Sequence, residues 1–351
     1  MGFFPKERDL TQPPDRIELV VDGSFFREKA QGFQIRLDQF LGAHFDWRSR
    51  NSIQGLVRDG YVYVDAVTPD QPNGSGQTKQ EKRPGKRLLQ GTRVVVVIPE
   101  ELRLPAFDGD ASSLSILYED DDVIAVDKPA MVAVHPSGRH HADTLIQRVH
   151  AHFQEEIKAR GEAPRLGHRL DRETSGVLLI GKGVLAHREL RRQFEEHLVD
   201  KTYLAVVWGT PVERQGSIRF PIGPASMSPI RLKMAVRADG AQARTDYQVL
   251  EQLERHALVE CRLFTGRQHQ IRLHLAAIGH AIVGDKLYGP DEQLFIRSAE
   301  DRLSASDHAE LELPRQALHH HEVSFTSPAT GQRITVRSPL ASDLKAFLGS
   351  Y

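Results

Sequence analysis

A single carboxylate between two guanidiniums is the feature of this sequence that most directly suggests chemistry. Residues 167–176 read G-H-R-L-D-R-E-T-S-G, which places Asp171 between Arg169 and Arg172. Because nearby cations favour the ionised carboxylate, a partly solvated Asp171 should be charged at neutral pH, given an ordinary aspartate pKa of about 3.9. An ionised aspartate is a poor general acid but a good nucleophile. The same residues could instead form a structural ion pair that fixes a loop.

The residues around Asp171 predict a loop at the end of a strand. Gly167 precedes the aspartate, and Thr-Ser-Gly follows at 174–176; residues of these types terminate secondary structure more often than they fill it. The apolar run at 177–180 that comes next is typical of a buried strand. We therefore expect the loop to deliver Asp171 to the end of a sheet.

Two later segments contain further candidate residues. Residues 201–208 alternate as a strand does, and Tyr203 lies on one of its two faces. Residues 258–279 predict a strand, a turn and a helix, with Arg267 at the beginning of the helix. A tyrosine in a strand is more often a core residue than a functional one, so the spacing alone leaves the role of Tyr203 open.

Composition limits the class of protein. The chain has 351 residues, enough for two domains, and its 40% hydrophobic and 26% charged residues are ordinary for a globular protein. A single cysteine, Cys261, excludes an internal disulfide, and no apolar run approaches the eighteen or so residues of a membrane span. We expect a cytoplasmic protein without membrane contact. The net charge of −1 implies that any affinity for nucleic acid comes from local basic patches.

The N-terminal third contains such a patch. Apolar residues at helical spacing predict two short amphipathic helices between residues 34 and 60, and strands are predicted at 61–65 and 94–98. Basic residues lie around the second helix and in the loop between the strands. Those we select as RNA-binding candidates are Arg50, Arg58, Arg83, Lys86 and Arg87.

Three patterns suggest other chemistry and are set aside. Residues 176–182 match the phosphate-loop pattern G-x-x-x-x-G-K, but the intervening residues form a predicted buried strand and Gly183 replaces the Ser or Thr that binds magnesium. Histidines cluster at 140–141 and 319–321, yet neighbouring residues of a strand point to opposite faces, and no H-E-x-x-H helix is present. A dinucleotide-binding fingerprint is absent. We expect no metal and no nucleotide cofactor.

The segment H-R-L-D-R-E-T-S-G at 168–176 resembles the signature of the RluA-type pseudouridine synthases. Further motifs of that family follow in its order: V-I-A-V-D-K-P at 123–129, K-x-Y-x-A at 201–205 and T-G-R-Q-H-Q-I-R-L-H-L at 265–275. The resemblance implies an α+β fold, with an antiparallel-rich, mixed-sheet catalytic domain at 114–351. It also implies isomerisation of uridine to pseudouridine in RNA without a cofactor. Two departures are Gln268, where Thr is common, and His320, where Ala is usual.

The same resemblance assigns roles to individual residues. It implies that Asp171 is catalytic, that the ring of Tyr203 packs against the target base, and that Arg267 pairs with Asp171. Three further residues are expected to contact the substrate or its RNA, namely His168, Arg169 and Lys201. The sequence does not decide whether Asp171 attacks the ribose or abstracts a proton from it.

The N-terminal helices and strands resemble the S-four-type RNA-binding domain, which holds RNA backbone by charge. One departure is Val-Asp-Ala at 64–66, where that domain usually has Val-Asn-Gly. The expected organisation is an extension at 1–33, a small ααβ RNA-binding module at 34–103, a linker at 104–113 and the catalytic domain.

The expected partner is structured RNA, with large-subunit ribosomal RNA favoured over transfer RNA, and the expected state is a monomer. A transfer-RNA-directed synthase remains an alternative. A non-catalytic RNA-binding or ribosome-assembly factor is a second alternative, although it would gain nothing from a carboxylate that faces phosphate. A hydrolase that uses Asp171 is a third alternative.

Overall fold

The structure is a computed structural model, and it divides into two compact units. Unit 1 contains residues 1–113 and 135–163, and unit 2 contains residues 114–134 and 164–351. The described residues are 9–11, 15–22, 34–45, 48–68, 70–72, 74–103, 106–109, 114–136 and 142–350. Most of the predicted extension, more than half of the predicted linker, and the histidines at 140 and 141 lie outside them.

The described part of unit 1 combines a four-stranded antiparallel sheet, in the order β1-β6-β3-β4, with a separate β2-β5 pair, four α-helices and a short 3-10 helix at Glu100–Leu102. Its elements are β1 (Arg16–Val20), β2 (Gln34–Arg36), α1 (Leu37–His44), α2 (Arg50–Arg58), β3 (Val62–Asp65), β4 (Lys79–Gln80), β5 (Arg87–Leu89), β6 (Arg93–Val97), α3 (Leu145–His152) and α4 (Gln154–Arg160).

The local sequence explains the helix pair and the sheet of unit 1. Apolar residues of α1 and α2 at helical spacing are buried in one cluster with the inner strands. The Ser49 side chain caps α2 by accepting a hydrogen bond from the Ser52 amide at 3.2 Å. Strand β6 lies between β1 and β3. Three of its four consecutive valines, Val94, Val95 and Val96, are buried, as expected for a strand covered on both faces. Strand β1 lies at the edge of this sheet, paired with β6.

Unit 2 is built on a ten-stranded sheet. The path β12-β15-β16-β11-β17-β10-β8-β7 forms its body, with β18 paired to β17 and β9 to β10. The described strands of unit 2 are β7 (Ile116–Glu119), β8 (Val123–Lys128), β9 (Arg165–Leu166), β10 (Ser175–Gly181), β11 (Asp200–Trp208), β12 (Gln215–Ile218), β13 (Ile222–Pro224), β14 (Met234–Val236), β15 (Thr245–Gln252), β16 (His256–Leu263), β17 (Leu318–Thr326) and β18 (Arg333–Arg337). Of these, β13 and β14 lie outside the ten-stranded sheet and form a separate antiparallel pair. The helices are α5 (Val184–Glu195), α6 (Gln270–Ala277), α7 (Gln293–Ala299), α8 (Ala305–Leu311) and α9 (Ser342–Gly349).

The sheet of unit 2 is rich in antiparallel pairs, and the chain as a whole mixes helix and sheet. Among the described strands, every pairing of this sheet is antiparallel except that of β10 with β17. All seven residues of β10 are buried, as its apolar run predicts. In the part of the chain that the structure describes, no helix is long and apolar enough to cross a bilayer.

The parallel pair β10-β17 fixes where the Asp171 loop ends. Gly176 lies opposite His320 in this pair, with φ of 109°. A Cβ atom at Gly176 would lie 2.2 Å from the carbonyl oxygen of His320, which is far inside van der Waals contact. Glycine is therefore required here for both its backbone angle and its size. The loop from 167 to 174 enters the centre of the sheet directly before this close approach.

We predict that Gly176→Ala destabilises unit 2 by about 3 kcal/mol, because it combines backbone strain with a clash against a strand that cannot move freely. Urea denaturation followed by circular dichroism measures the change. Gly266→Ala is the matched control, because a Cβ there meets no atom within 4 Å. The free energy of unfolding of Gly266→Ala should stay within about 0.5 kcal/mol of that of the native chain. Equal stability of the two variants would contradict the close approach of the two strands.

Candidate active site

Asp171 lies in a loop whose two ends are held by backbone hydrogen bonds. The amide of Gly167 donates to the carbonyl of Leu179 at 2.8 Å, and the amide of Thr174 donates to the carbonyl of Asp171 at 3.1 Å. Leu170 is buried directly before the aspartate. The side chain of Asp171 keeps 36% of its surface exposed, so a substrate can reach it.

The two oxygens of the Asp171 carboxylate have different surroundings. Oδ2 accepts hydrogen bonds from Arg272 Nη1 at 2.8 Å and from Gln316 Nε2 at 3.3 Å. Oδ1 makes no hydrogen bond within the described residues, and His269 Nε2 lies 3.9 Å from it. Burial raises the pKa of Asp171, but the charge and hydrogen bond of Arg272, with smaller effects of His269 and Gln316, lower it below its usual range. The carboxylate is therefore ionised, fixed through one oxygen and open at the other.

Arg272 is itself held by a second carboxylate. Its Nε and Nη2 atoms donate to the two oxygens of Asp285 at 2.6 and 2.8 Å. Asp285 is fully buried and also accepts from the amides of Leu287 and Tyr288. Burial lowers the pKa of Arg272, but the two carboxylates outweigh it and raise the pKa above its usual value. The guanidinium is therefore permanently charged, and its orientation is set by three carboxylate contacts.

The predicted contact of Arg267 with Asp171 is wrong, since Arg272 makes this contact. Arg267 is exposed, and its Nε donates to the carbonyl of Gln242 at 3.1 Å. The physical reason is the helix boundary: α6 begins at Gln270, so Arg267 lies in the turn before it. Arg272 lies in the first turn of α6, from where it reaches Asp171 and Asp285. The position of the helix start distinguishes the two arginines of T-G-R-Q-H-Q-I-R in the sequence, because only the second lies within the helix.

The residues beside Asp171 are anchored by several elements of unit 2. Lys128, at the end of β8, donates from Nζ to the carbonyls of Pro129, Val132 and Arg172 at 2.7, 2.9 and 3.1 Å. Glu173 accepts from Lys286 Nζ at 2.9 Å and from the amide of Gln316 at 3.0 Å. These bonds restrict the backbone on both sides of the catalytic candidate.

Tyr203 lies on β11, where the alternation of residues 201–208 predicts it. It is buried, and its ring stacks on that of His320 with centroids 4.3 Å apart and planes 12° from parallel. Burial, and secondarily the charge of Asp171, raises the pKa of Tyr203, so the hydroxyl stays protonated. The structure thus brings Tyr203 within electrostatic reach of Asp171.

The departure at His320 has a structural explanation. Its Nδ1 donates to the carbonyl of Val177 at 2.6 Å, and its ring lies between those of Tyr203 and His168. The imidazole is buried, and its Nε2 has no hydrogen-bond partner within the described residues. Burial, with the nearby His168, holds the pKa of His320 well below its ordinary value, so the ring is neutral. A larger side chain than the usual alanine therefore supports the ring of Tyr203 from behind.

Of the two residues His168 and Lys201, predicted to contact the substrate, Lys201 is buried and His168 is half-buried. His168 Nε2 accepts from the Leu179 amide at 3.1 Å, and its ring packs against Phe194. Burial and the charge of Lys201 lower the pKa of His168 to about 3. Lys201 is buried with Nζ 5.8 Å from the Phe194 ring, and burial lowers its pKa. Both side chains pack against Phe194 of unit 2, and Arg169 is exposed beside Asp171.

No cluster of His, Cys, Asp or Glu within the described ranges could hold a metal ion. His319 and His320 point to opposite faces of β17: His319 Nδ1 hydrogen bonds with Ser175 Oγ at 2.9 Å, and His320 faces Tyr203. Both rings serve the packing of the strands.

Four of the five predicted RNA-binding residues of unit 1 lie around the start of α1, and Arg58 does not. Arg50, at the beginning of α2, reaches Asp38 of α1 at 3.3 Å, and the amide of Asp38 donates to the carbonyl of Pro84 at 2.9 Å. The loop that contains Arg83, Lys86 and Arg87 is thereby close to Arg50. Arg58 is at the other end of α2. Of the five residues Arg50, Arg58, Arg83, Lys86 and Arg87, all except the half-buried Lys86 are exposed.

Comparison with known proteins agrees with this geometry. The family model of RNA pseudouridylate synthase matches residues 122–277, which include Asp171, Tyr203 and Arg272. The solved structure of human RNA Pseudouridylate Synthase Domain Containing 1 is 25% identical, with a TM-score of 0.51, and the match covers 69% of this chain and 96% of that one.

Two similar sequences are ribosomal large subunit pseudouridine synthase D of Nitrosomonas europaea and of Pseudomonas aeruginosa. The first is 36% identical over 316 residues, which cover 90% of this chain and 83% of the relative. The second is 33% identical over 310 residues, which cover 88% and 89%. Identity at this level over nearly the whole of both chains shows common descent. The chain therefore belongs to the RluA-type family of RNA pseudouridine synthases, isomerases that convert uridine in RNA to pseudouridine.

Proposed function

We propose that Asp171 starts the isomerisation and that Oδ1 is its reacting oxygen. The observation that carries this proposal is the asymmetry of the carboxylate: Arg272 and Gln316 engage Oδ2, whereas Oδ1 is left for the substrate. The ionised state suits either attack on the ribose or abstraction of a proton from it. Both routes break the bond between ribose and uracil, and the base then rejoins through its carbon-5.

Arg272 is proposed as the residue that positions Asp171 and keeps it charged. A guanidinium suits this role because it stays protonated and can bind two carboxylates at fixed angles. Asp285 prevents it from turning away. The reaction transfers no electrons and no phosphate, so these side chains supply what the chemistry needs without a cofactor.

Tyr203 is proposed to pack against the target uracil. A uridine in structured RNA must leave its stack before Asp171 can reach the ribose, at a cost of a few kcal/mol. Stacking on an aromatic ring returns about 1–3 kcal/mol. The ring of Tyr203, held from behind by His320, is suited to this contact. Arg169, exposed beside Asp171, is proposed to fill the space that the uridine vacates or to hold a phosphate.

Residues 34–103 are proposed to form an S-four-type RNA-binding module that adds affinity for the substrate. The order α1, α2, β3 and the basic loop close to the start of α1 support this assignment. The other proposed segments are the extension at 1–33, the linker at 104–113 and the catalytic domain at 114–351.

We propose large-subunit ribosomal RNA as the target, because the relatives described above have that substrate in their names. Transfer RNA is the alternative target. Action on ribosomal RNA would take place in the cytoplasm. Since Asp171, Arg272 and Tyr203 come from one chain, we propose that a monomer is active.

The central prediction concerns Asp171→Asn. This variant should release no tritium from large-subunit ribosomal RNA transcribed with carbon-5-tritiated uridine, because the neutral amide can neither attack nor accept a proton. Its dissociation constant for the same transcript should stay within about threefold of the native value, since the fold is unchanged.

The native chain should release tritium under the same conditions, and a transfer RNA transcript is the control for the target. Release by Asp171→Asn at the native rate would refute the role of Asp171. Release by the native chain from transfer RNA alone would refute the ribosomal target but not the chemistry.

A second prediction concerns the basic loop of unit 1. Replacing Arg83, Lys86 and Arg87 together with glutamine should weaken RNA binding and flatten its dependence on salt. Each lost phosphate contact should reduce the slope of log K against log salt by about 0.7 to 0.9. Filter binding at several salt concentrations measures the slope.

The matched control for this triple variant replaces Arg16 and Lys158 of the same unit. Both are exposed and, like Arg83, pair with a nearby glutamate. We expect the control to keep the native slope. A triple variant with the native slope would remove this loop from RNA binding.

A further inference from the structure

His269 lies against the open side of the Asp171 carboxylate and has no role in the proposed function. Its Nε2 is 3.9 Å from Oδ1, too far for a hydrogen bond but next to the space where the ribose and uracil must lie. Its Nδ1 is 2.9 Å from the hydroxyl of Tyr288. The residue has φ of 56°, a left-handed backbone that is uncommon for histidine, directly before α6. Strain of this kind is concentrated at functional sites.

The hydrogen bonds of the Tyr288 hydroxyl determine which nitrogen of His269 carries the hydrogen. The amide of Met234 donates to the Tyr288 hydroxyl oxygen at 2.9 Å, so this oxygen is already an acceptor. Tyr288 is buried, and burial raises its pKa, so the hydroxyl keeps its own hydrogen. Within the described residues His269 Nδ1 is the acceptor in reach of that hydrogen, and a buried donor requires one. Nε2 is then protonated and directs its N–H toward the site.

The ring of His269 is neutral. The charged and titratable groups that face it are Arg272, Asp171, Asp285 and Tyr288. Burial and the charge of Arg272 lower the pKa of His269, and the carboxylates of Asp171 and Asp285 oppose this only in part. A neutral imidazole with a fixed N–H can donate a hydrogen bond to the substrate. It does not exchange a proton with Asp171.

We propose that His269 is a second catalytic residue, whose Nε2–H donates a hydrogen bond to the O2 carbonyl of the target uracil. When the N1–C1′ bond breaks, its electron pair stays on the uracil ring and spreads onto the carbonyl oxygens. O2 is the carbonyl nearer to the ribose, and Asp171 Oδ1 reacts at the ribose, so O2 comes to lie beside Oδ1. A preorganised donor stabilises charge where it develops. The proton stays on Nε2 throughout. When carbon-5 bonds to C1′, carbon-5 loses its hydrogen to water as a proton and N1 takes up a proton from water, so the negative charge on O2 disappears.

This inference rests on the proposed role of Asp171, and it gives Tyr288 a positioning role. Tyr288 holds the His269 ring in the required tautomer, and its own hydroxyl is oriented by the Met234 amide of β14. The guanidinium carbon of Arg272 also lies 5.2 Å from the centre of the Tyr288 ring. Because the Tyr288 hydroxyl acts through the tautomer of His269, its effect on the reaction should depend on the presence of His269.

Two amide variants of the full chain test the proposal. His269→Asn accepts the left-handed backbone but is too short to place its N–H at the Nε2 position, whereas the amide of His269→Gln reaches it. The measurement is the single-turnover rate of tritium release, with enzyme in excess, from a ribosomal RNA transcript that the native chain modifies. We expect His269→Asn to be slower by about 100-fold, as for loss of an oxyanion donor. The RNA dissociation constant of His269→Asn should stay within threefold of the native value. The rate of His269→Gln should be at least tenfold higher than that of His269→Asn.

Tyr288→Phe tests the positioning role by a double-mutant cycle. It should slow the native chain about tenfold but leave His269→Asn unchanged, since the tautomer matters only while the imidazole is present. Because the pKa of His269 lies below its ordinary value, titration of its ring should not change the native single-turnover rate between pH 7.5 and 8.5.

A rate for His269→Asn within threefold of native would overturn the proposal, as would equal rates for the Asn and Gln variants. Asp171→Asn measured beside them separates the two claims. If it is inactive while His269→Asn is fully active, only the role of His269 fails. If Asp171→Asn is active, the role of Asp171 fails.

Discussion

One guanidinium shared by two carboxylates is the interaction on which this active site depends. Arg272 bridges the buried Asp285 and the half-exposed Asp171. Removing one member of such a buried network leaves an uncompensated charge, which typically destabilises a protein by about 3–5 kcal/mol. The network therefore sets the charge state of Asp171 and its orientation together. The network also determines which oxygen of Asp171 is open to the substrate. The proposed roles of Asp171 and His269 both depend on that oxygen.

The sheet provides the rigidity that this network needs. The Asp171 loop enters β10 where Gly176 allows β17 to approach, and Lys128 holds the carbonyl of Arg172. His320 of β17 supports Tyr203 of β11, so the aromatic face of the site is set by the same strands. Preorganisation of this kind is what a reaction without a cofactor requires, because the protein must supply the orientation of both the carboxylate and the base.

Short-range patterns in the sequence predict the parts of the site that depend on local secondary structure. The loop around Asp171, the strand that contains Tyr203 and the helix after Thr265 are all present in the structure. The partner of Asp171 was predicted incorrectly because two arginines, Arg267 and Arg272, lie close together in sequence, and the choice depends on where α6 begins. The neighbourhood of His320 depends on a parallel pairing between strands far apart in sequence, which periodicity does not reveal.

The most direct test of this account compares Arg272→Lys with Arg267→Lys in single-turnover tritium release, with RNA affinity as the measure of an intact fold. Lysine keeps the charge but cannot bind two carboxylates in fixed geometry. We predict that Arg272→Lys lowers the rate by about 100-fold at nearly native RNA affinity, whereas Arg267→Lys stays within about threefold of the native rate. Loss of rate in Arg267→Lys with a native rate in Arg272→Lys would contradict the assignment of Arg272 as the partner of Asp171.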